Sequence, residues 1–420
     1  MSIRDRLTRL DGGDSSSPSS GDGAPGEEWV NALQRELHLA VLQEEGAFIL
    51  LKENTYPIYR EPAFAELREQ GFDAPHLHRI TEDLSPELCN LRQALFVDTE
   101  TTGLAGGTGT YAFLIGIGHL ELDHVVVRQY LLPDFSHEWL MLKHLDQALQ
   151  GFRFTVTFNG KSFDLPLLRT RYLMNRMIPT IEDMAHFDLL HAARRLWKRR
   201  LPACDLQTLE RHILGVERVQ DVPGELIPHL YFEFIRRRDA LLLRDVLEHN
   251  FHDIVNLALL TVRMAAICRA PLEYLEHPEE MLSLAGYLFR QKRFPEAIEL
   301  LEGVLATEGA NAAFRREALF LLSQAYKKQG KAEASKQRLQ ELMERQVLHP
   351  QVIEELAKIY EHQERDFPAA RAVVEKGLAY LETIRRLDPR SDLLKYIPAL
   401  QHRLRRLQRR MGKTSDGISG

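Results

Sequence analysis

Apolar residues along this chain recur with two different periods. Short β-favouring runs fill the middle: Leu95–Val97, Tyr111–Leu122, its hairpin partner His124–Leu132, and Phe154–Phe158. A stretch of helical period, Ser136–Leu149, separates the third run from the fourth, and LLLRDVLEHNFHDIVNLALL later carries leucines at helical spacing. Three strands, a helix, a strand and then helices predict a mixed α/β sheet flanked by helices. Upstream, WVNALQRELHLAVLQ reads as a helix from Trp29, Ala47–Leu51 as a short strand, and Pro57, Pro62 and Pro75 as breaks. Between Asp11 and Gly26 every residue except Ala24 is Gly, Ser, Pro or Asp. Such a segment buries too little apolar surface to offset its ordering entropy, so a disordered tail is expected over residues 1–28.

Composition narrows the class. With 420 residues, 44% of them hydrophobic, the chain has material for two or three domains. The formal net charge of −6 means that contact with nucleic acid depends on local basic patches. Cys89, Cys204 and Cys268 are widely separated and form no CxxC, which argues against a zinc site and fits a reducing cytoplasm. The sequence holds no uninterrupted apolar run of membrane-spanning length and no secretory signal, so no membrane association is expected.

The chemistry centres on ALFVDTETTG. Asp98 and Glu100 stand two apart at the end of a strand, where alternation points both to one side. Adjacent carboxylates repel and resist desolvation unless a cation lies between them, and oxygen donors suit Mg2+ or Mn2+. The following glycines, at 103, 106, 107 and 109, make a flexible loop but lack the GK[ST] of a phosphate-binding P-loop and precede a strand. A third acid, Asp164, follows the turn Asn159-Gly160, with Ser162 as the expected helix cap. A fourth, Asp253, lies on the leucine-rich helix, with His249 one turn earlier on the same face. His252 reads as an ordinary surface or satisfied core histidine.

Asp98, Glu100, Asp164 and Asp253, in this order, resemble the DEDD 3′–5′ exonuclease superfamily. The stretches TETTGLAGGTGTYAFLIGIG, FNGKSFDLPLL, HFDLLHAARRLW and LQTLERHILG are similar to the YprB-type ribonuclease-H-like family, over about Leu95–Leu260. The resemblance implies a ribonuclease-H-like fold, two Mg2+ or Mn2+ ions held by the four acids, and hydrolysis of nucleic acid from a 3′ end. The third motif departs from the superfamily, whose histidine lies in H-x4-D and whose tyrosine lies in Y-x3-D. Here His249 occupies the tyrosine's place, which leaves it as a general base, a water-orienting group or a spectator. An unperturbed imidazole, titrating at about 6.5, suits the first role. Arg194, Arg195, Lys198 and Arg199 around Trp197 form a candidate phosphate-binding surface, joined beside the acids by Thr101 and Asn159; Arg236–Arg238 is a second basic run.

After Pro271 the composition turns to alanine, leucine, glutamate and arginine with helical period. Segments starting at Ala285, Ser323 and Ala357 look alike, and their tyrosines (287, 326, 360) stand 39 and then 34 residues apart. This resembles tetratricopeptide repeats, whose period is 34, with an alanine in each second helix packing neighbours together. The expected layout is an accessory region over 29–90, a ribonuclease-H-like exonuclease domain over 91–268, a helical repeat domain over 269–410 that could receive a protein partner, and a disordered tail over 411–420. The rival reading is a non-catalytic scaffold that works through its repeats.

Overall fold

The computed structural model describes residues 27–59, 62–103, 107–218 and 221–416. Of the tail expected over residues 1–28, residues 1–26 lie outside them, as does the centre of the glycine loop, whereas Glu27 and Glu28 already belong to a helix. The chain divides into two compact units, Met1–Tyr274 and Leu275–Gly420.

The first unit is built on seven strands: β1 Ala40–Glu44, β2 Ala47–Pro57, β3 Ala94–Thr101, β4 Ala112–Leu120, β5 His124–Leu131, β6 Phe154–Thr157 and β7 Ala185–Asp188. Their spatial order is β1-β2-β5-β4-β3-β6-β7. Pairing is antiparallel from β1 through β3 and parallel across β3, β6 and β7. Its principal helices are α1 Glu27–Leu37, α2 Pro62–Glu69, α3 Glu138–Leu149, α4 Asp164–Met174, α5 Leu189–Trp197, α6 Ile227–Arg237 and α7 Arg244–Arg269. The parallel strands require crossovers, which α3 and α4 supply. This is a ribonuclease-H-like mixed sheet flanked by helices, as expected.

The N-terminal region departs from its sequence reading. The helix from Trp29 ends at Leu37, His38 takes a left-handed φ of 56°, and the remainder of the pattern, AVLQ, forms β1. A two-residue turn, Glu45 and Gly46 with φ of 50° and 81°, returns the chain as β2, which pairs with β5 along Leu50–Pro57. Positive φ at both turn residues is the geometry that matches strand twist in tight hairpins. A glutamate in the first position hides that signal. The segment expected to be accessory therefore supplies two strands of the central sheet, while α2 and the short helix Pro75–Arg79 pack on α7.

The core helix α7 lies across β3, β4 and β5. It qualifies as a membrane span by length and average hydropathy, but 83% of its most apolar window is buried inside the protein. A helix that is apolar all round is the central helix of a layered fold. Two glycines of β4 permit its approach. A Cβ at Gly116 would sit 2.3 Å from Asn250 Oδ1, and one at Gly118 would sit 2.4 Å from Ile254 Cγ2. Residues two apart share a strand face, so LIGIG opens one shallow channel for the helix.

The second unit consists of consecutive helical hairpins: Pro278–Arg290 with Phe294–Ala306, Ala312–Lys328 with Ala332–Glu344, and Pro350–Ile359 with Phe367–Leu387. Ala297 and Ala370 are the buried small residues of the first and third second helices. In the middle hairpin that place belongs to Ser335, whose hydroxyl donates to the carbonyl of Ser323 at 2.8 Å, rather than to an alanine. The closing helix Ile397–Asp416 runs past the break expected at residue 411. Its Arg403 and Arg406 reach the buried carboxylate of Glu361 at 2.7 and 2.6 Å, so part of the basic tail has a structural role.

Candidate active site

β3 is buried from Ala94 to Val97 and emerges at Asp98. Asp98 and Glu100 stand on one face of its end, and a register shift against β4 between Glu100 and Thr101 breaks the ladder there. Asp98 Oδ2 accepts a hydrogen bond from Asn250 Nδ2 of α7 at 2.8 Å; the Asn250 carbonyl in turn accepts from Gln129 Nε2 of β5 at 2.9 Å. Three elements thus orient one carboxylate.

Asp164 is the first residue of α4. The cap position belongs to Phe163, with φ −125° and ψ −72° and no side-chain hydrogen bond, so Ser162 does not cap the helix. Thr99 Oγ1 donates to Asp164 Oδ1 at 2.6 Å. The preceding turn needs Asn159 in the left-handed region, φ 63°, a conformation that asparagine tolerates well. Buried Asp188, at the end of β7, accepts from the N–H groups of Asn159 and Lys161 at 2.8 and 3.1 Å and caps α5 through Leu190. One carboxylate therefore ties the turn before Asp164 to a neighbouring strand and helix.

From α7, His249 Nε2 lies 3.4 Å from Asp253 Oδ2 and 3.8 Å from Glu100 Oε1. Donor atoms of Glu100, His249 and Asp253 all fall within 4.8 Å of one another. On its other side His249 Nδ1 bonds Asp221 Oδ1 at 2.6 Å. Asp253 Oδ1 is held by Arg218, which also grips Glu210 and reaches Asp221 at 3.1 Å. His252 is half-buried beside Glu248 and takes no part in the acid cluster.

The electrostatics follow from crowding. Burial, then the charges of Asp253, Glu100 and Asp164, push Asp98 well above the usual carboxylate range. Burial raises Glu100 to about 8, with Asp253 and Asp164 adding to it against the pull of His249. Asp164 rises to about 6 through burial, moderated by its bond from Thr99. For His249 burial works downward, but the Asp221 hydrogen bond and the charges of Asp253 and Glu100 outweigh it and raise the ring to about 9. The unperturbed value near 6.5 does not apply: at neutral pH, with no metal ion bound, this ring is an imidazolium. Carboxylates that resist ionising together, with a single imidazole among the donors, form a set that fits hard divalent cations such as Mg2+ or Mn2+.

The other residues singled out from the sequence have identifiable places. Thr101 Oγ1 donates to the carbonyl of Gly103 at 2.9 Å, inside the loop after β3. Arg194 and Lys198 are exposed at the end of α5, as is Arg199 just beyond; Arg195 is half-buried and donates to the carbonyl of Ile80. Trp197 belongs to the core and offers no stacking face. The run Arg236–Arg238 is engaged locally: Arg236 pairs with Glu233, and Arg238 donates to the Pro133 carbonyl beneath the Trp29 ring. Sequence reasoning missed Asn250, Thr99, Asp188, Arg218 and Asp221. It also missed Phe163, a ring 59% exposed next to Asp164. Of these Thr99, Phe163, Asp188 and Asn250 lay in stretches whose pattern had drawn notice; Arg218 and Asp221 did not.

The sheet and its flanking helices have counterparts among known proteins. The RNase H superfamily model matches residues 95–265. A Bacillus subtilis (strain 168) protein, described as the uncharacterized protein YprB, is 33% identical over 342 residues, covering 80% of this chain and 81% of the relative. A ribonuclease-H-type domain supports a nuclease-like hydrolase that uses divalent metal and acts on nucleic acid.

Proposed function

Because the chain belongs to the family of YprB, with a ribonuclease H superfamily domain at its centre, we propose that it is a metal-dependent 3′–5′ exonuclease. The observation that carries this reading is the convergence of acids from β3, α4 and α7: Glu100 and Asp253 place donor atoms within 4.8 Å of each other and of His249, Asp98 shares the strand face of Glu100, and Asp164 is bonded to the intervening Thr99. These residues would hold two Mg2+ or Mn2+ ions, which when bound supply positive charge to the attacking and leaving oxygens of an in-line displacement. Asn250 and Thr99 fix the carboxylates of Asp98 and Asp164 by hydrogen bonds. Asp221 holds His249 through Nδ1, so Nε2 is the atom that gives or takes a proton at the site. Nε2 becomes a base only when the carboxylate charges that raise its pKa are neutralised.

Around this centre, Phe163 offers an exposed ring for stacking a base, and Arg194, Lys198 and Arg199 offer charge for the phosphate backbone. The catalytic domain is assigned to residues 91–268, with β1 and β2 extending its sheet. The tetratricopeptide-like hairpins that follow it in the sequence would receive a protein partner. Free thiols at Cys89 and Cys204 are in keeping with a cytoplasmic protein.

The test is a panel of 5′-end-labelled DNA and RNA oligonucleotides with Mn2+ or with chelator, beside the Asp98→Asn protein. A Mn2+-dependent ladder shortening from the 3′ end, absent in the variant, is expected. Internal cuts alone would replace exonuclease by endonuclease; no cleavage of any substrate would favour the scaffold reading.

A further inference from the structure

The third motif is gripped from behind by two residues that no motif includes. The Arg218 side chain is 10% exposed, and its guanidinium forks onto both oxygens of Glu210, with Nε 2.8 Å from Oε2. Glu210 is itself 2% exposed and is braced by Asn256 Nδ2 of α7 at 2.8 Å. The same guanidinium holds Asp253 Oδ1 and reaches Asp221 Oδ2, while the other Asp221 oxygen takes His249 Nδ1. Each third-motif side chain therefore has one polar atom fastened from outside. The atoms left over, Asp253 Oδ2 and His249 Nε2, are 3.4 Å apart, and Nε2 lies 3.8 Å from Glu100 Oε1.

We propose that Arg218 and Asp221 are positioning residues that preset the third motif, so that Asp253 binds its metal ion through Oδ2 alone and the affinity for that ion is set from the outer shell. This rests on the reading of Glu100 and Asp253 as metal ligands. The opposite role, a guanidinium that competes with the ion and must leave, conflicts with the lock on Glu210. Withdrawing Arg218 would strand a buried carboxylate, the costliest way to break such a pair. Groups behind metal ligands orient them, and their loss typically weakens metal binding by about 10–100-fold.

The experiment is isothermal titration of the full chain with Mn2+ alone, comparing wild type with Arg218→Gln, Arg218→Lys and Asp221→Asn, each checked by circular dichroism and melting in chelator. Arg218→Gln should bind Mn2+ about 10–100-fold more weakly. Arg218→Lys should not rescue it, because a single ammonium cannot span Glu210, Asp221 and Asp253 as the fork does. A role in stability alone would lower the melting temperature and leave affinity untouched. Wild-type or tighter binding by Arg218→Lys overturns the proposal, as does unchanged affinity in Asp221→Asn. Should Arg218→Gln fail to fold, these two variants carry the test. A wild-type protein that takes up no Mn2+ would refute the metal centre itself, a separate and distinguishable result.

Discussion

Stability of the metal-free protein should fall as pH rises, and divalent cations should reverse the fall. Glu100 and Asp164 keep their protons in the folded state up to about 8 and about 6, whereas the unfolded chain releases them near 4. The folded state thus binds more protons in that window, and raising the pH destabilises it. His249 acts in the same direction. Its folded pKa of about 9 exceeds the ordinary 6.5, so its stabilising contribution is complete below 6.5 and lost as pH rises through 9. Between about pH 5.5 and 8.5, Glu100 accounts for about 3 kcal/mol and His249 for about 2–3 kcal/mol. At roughly 2–4 °C per kcal/mol for a unit of this size, melting should drop by roughly 10 °C or more. Thermal melts in chelator and in saturating Mn2+ across this range measure it. The Mn2+ increment should grow with pH, since cations take the place of the protons that the site would otherwise keep. A chelated protein whose melting temperature stays flat or rises, or a Mn2+ increment equal at both ends, would refute the reasoning.

Three further outcomes follow from the same geometry. Asp98→Asn should abolish Mn2+-dependent cleavage yet melt higher than wild type in chelator at pH 8, because a neutral amide replaces a carboxyl held far above its usual range; a lower melting temperature contradicts the crowding argument. Gly116→Ala drives a methyl into Asn250 and should cost about 1–3 kcal/mol together with most of the activity, since Asn250 orients Asp98; denaturant melts and cleavage rates check both. Phe163→Ala should leave melting unchanged and raise KM more than it lowers kcat, as expected for a stacking surface outside the ion cage.

Much of this protein was legible from local pattern. Apolar period alone marked β3 through β6, the helix α7 and the C-terminal helical pairs, because burial on one face or on all faces imposes that period directly. The four acids stand where local pattern put them, at a strand end, a strand–helix turn and a late helix. What the sequence left undetermined depends on residues distant in the chain. AVLQ could extend a helix or join a sheet, and pairing of β2 with β5 decided for the sheet. Gly116 and Gly118 read as plain strand residues until α7 lay against them. Arg218 and Asp221 sit in a polar, aperiodic stretch, and their meaning arises only from what they touch. The same holds for His249, whose charge is set by Asp253 of its own helix together with Asp221 and Glu100 from two other segments, since Coulomb interaction depends on distance in space and not on separation along the chain.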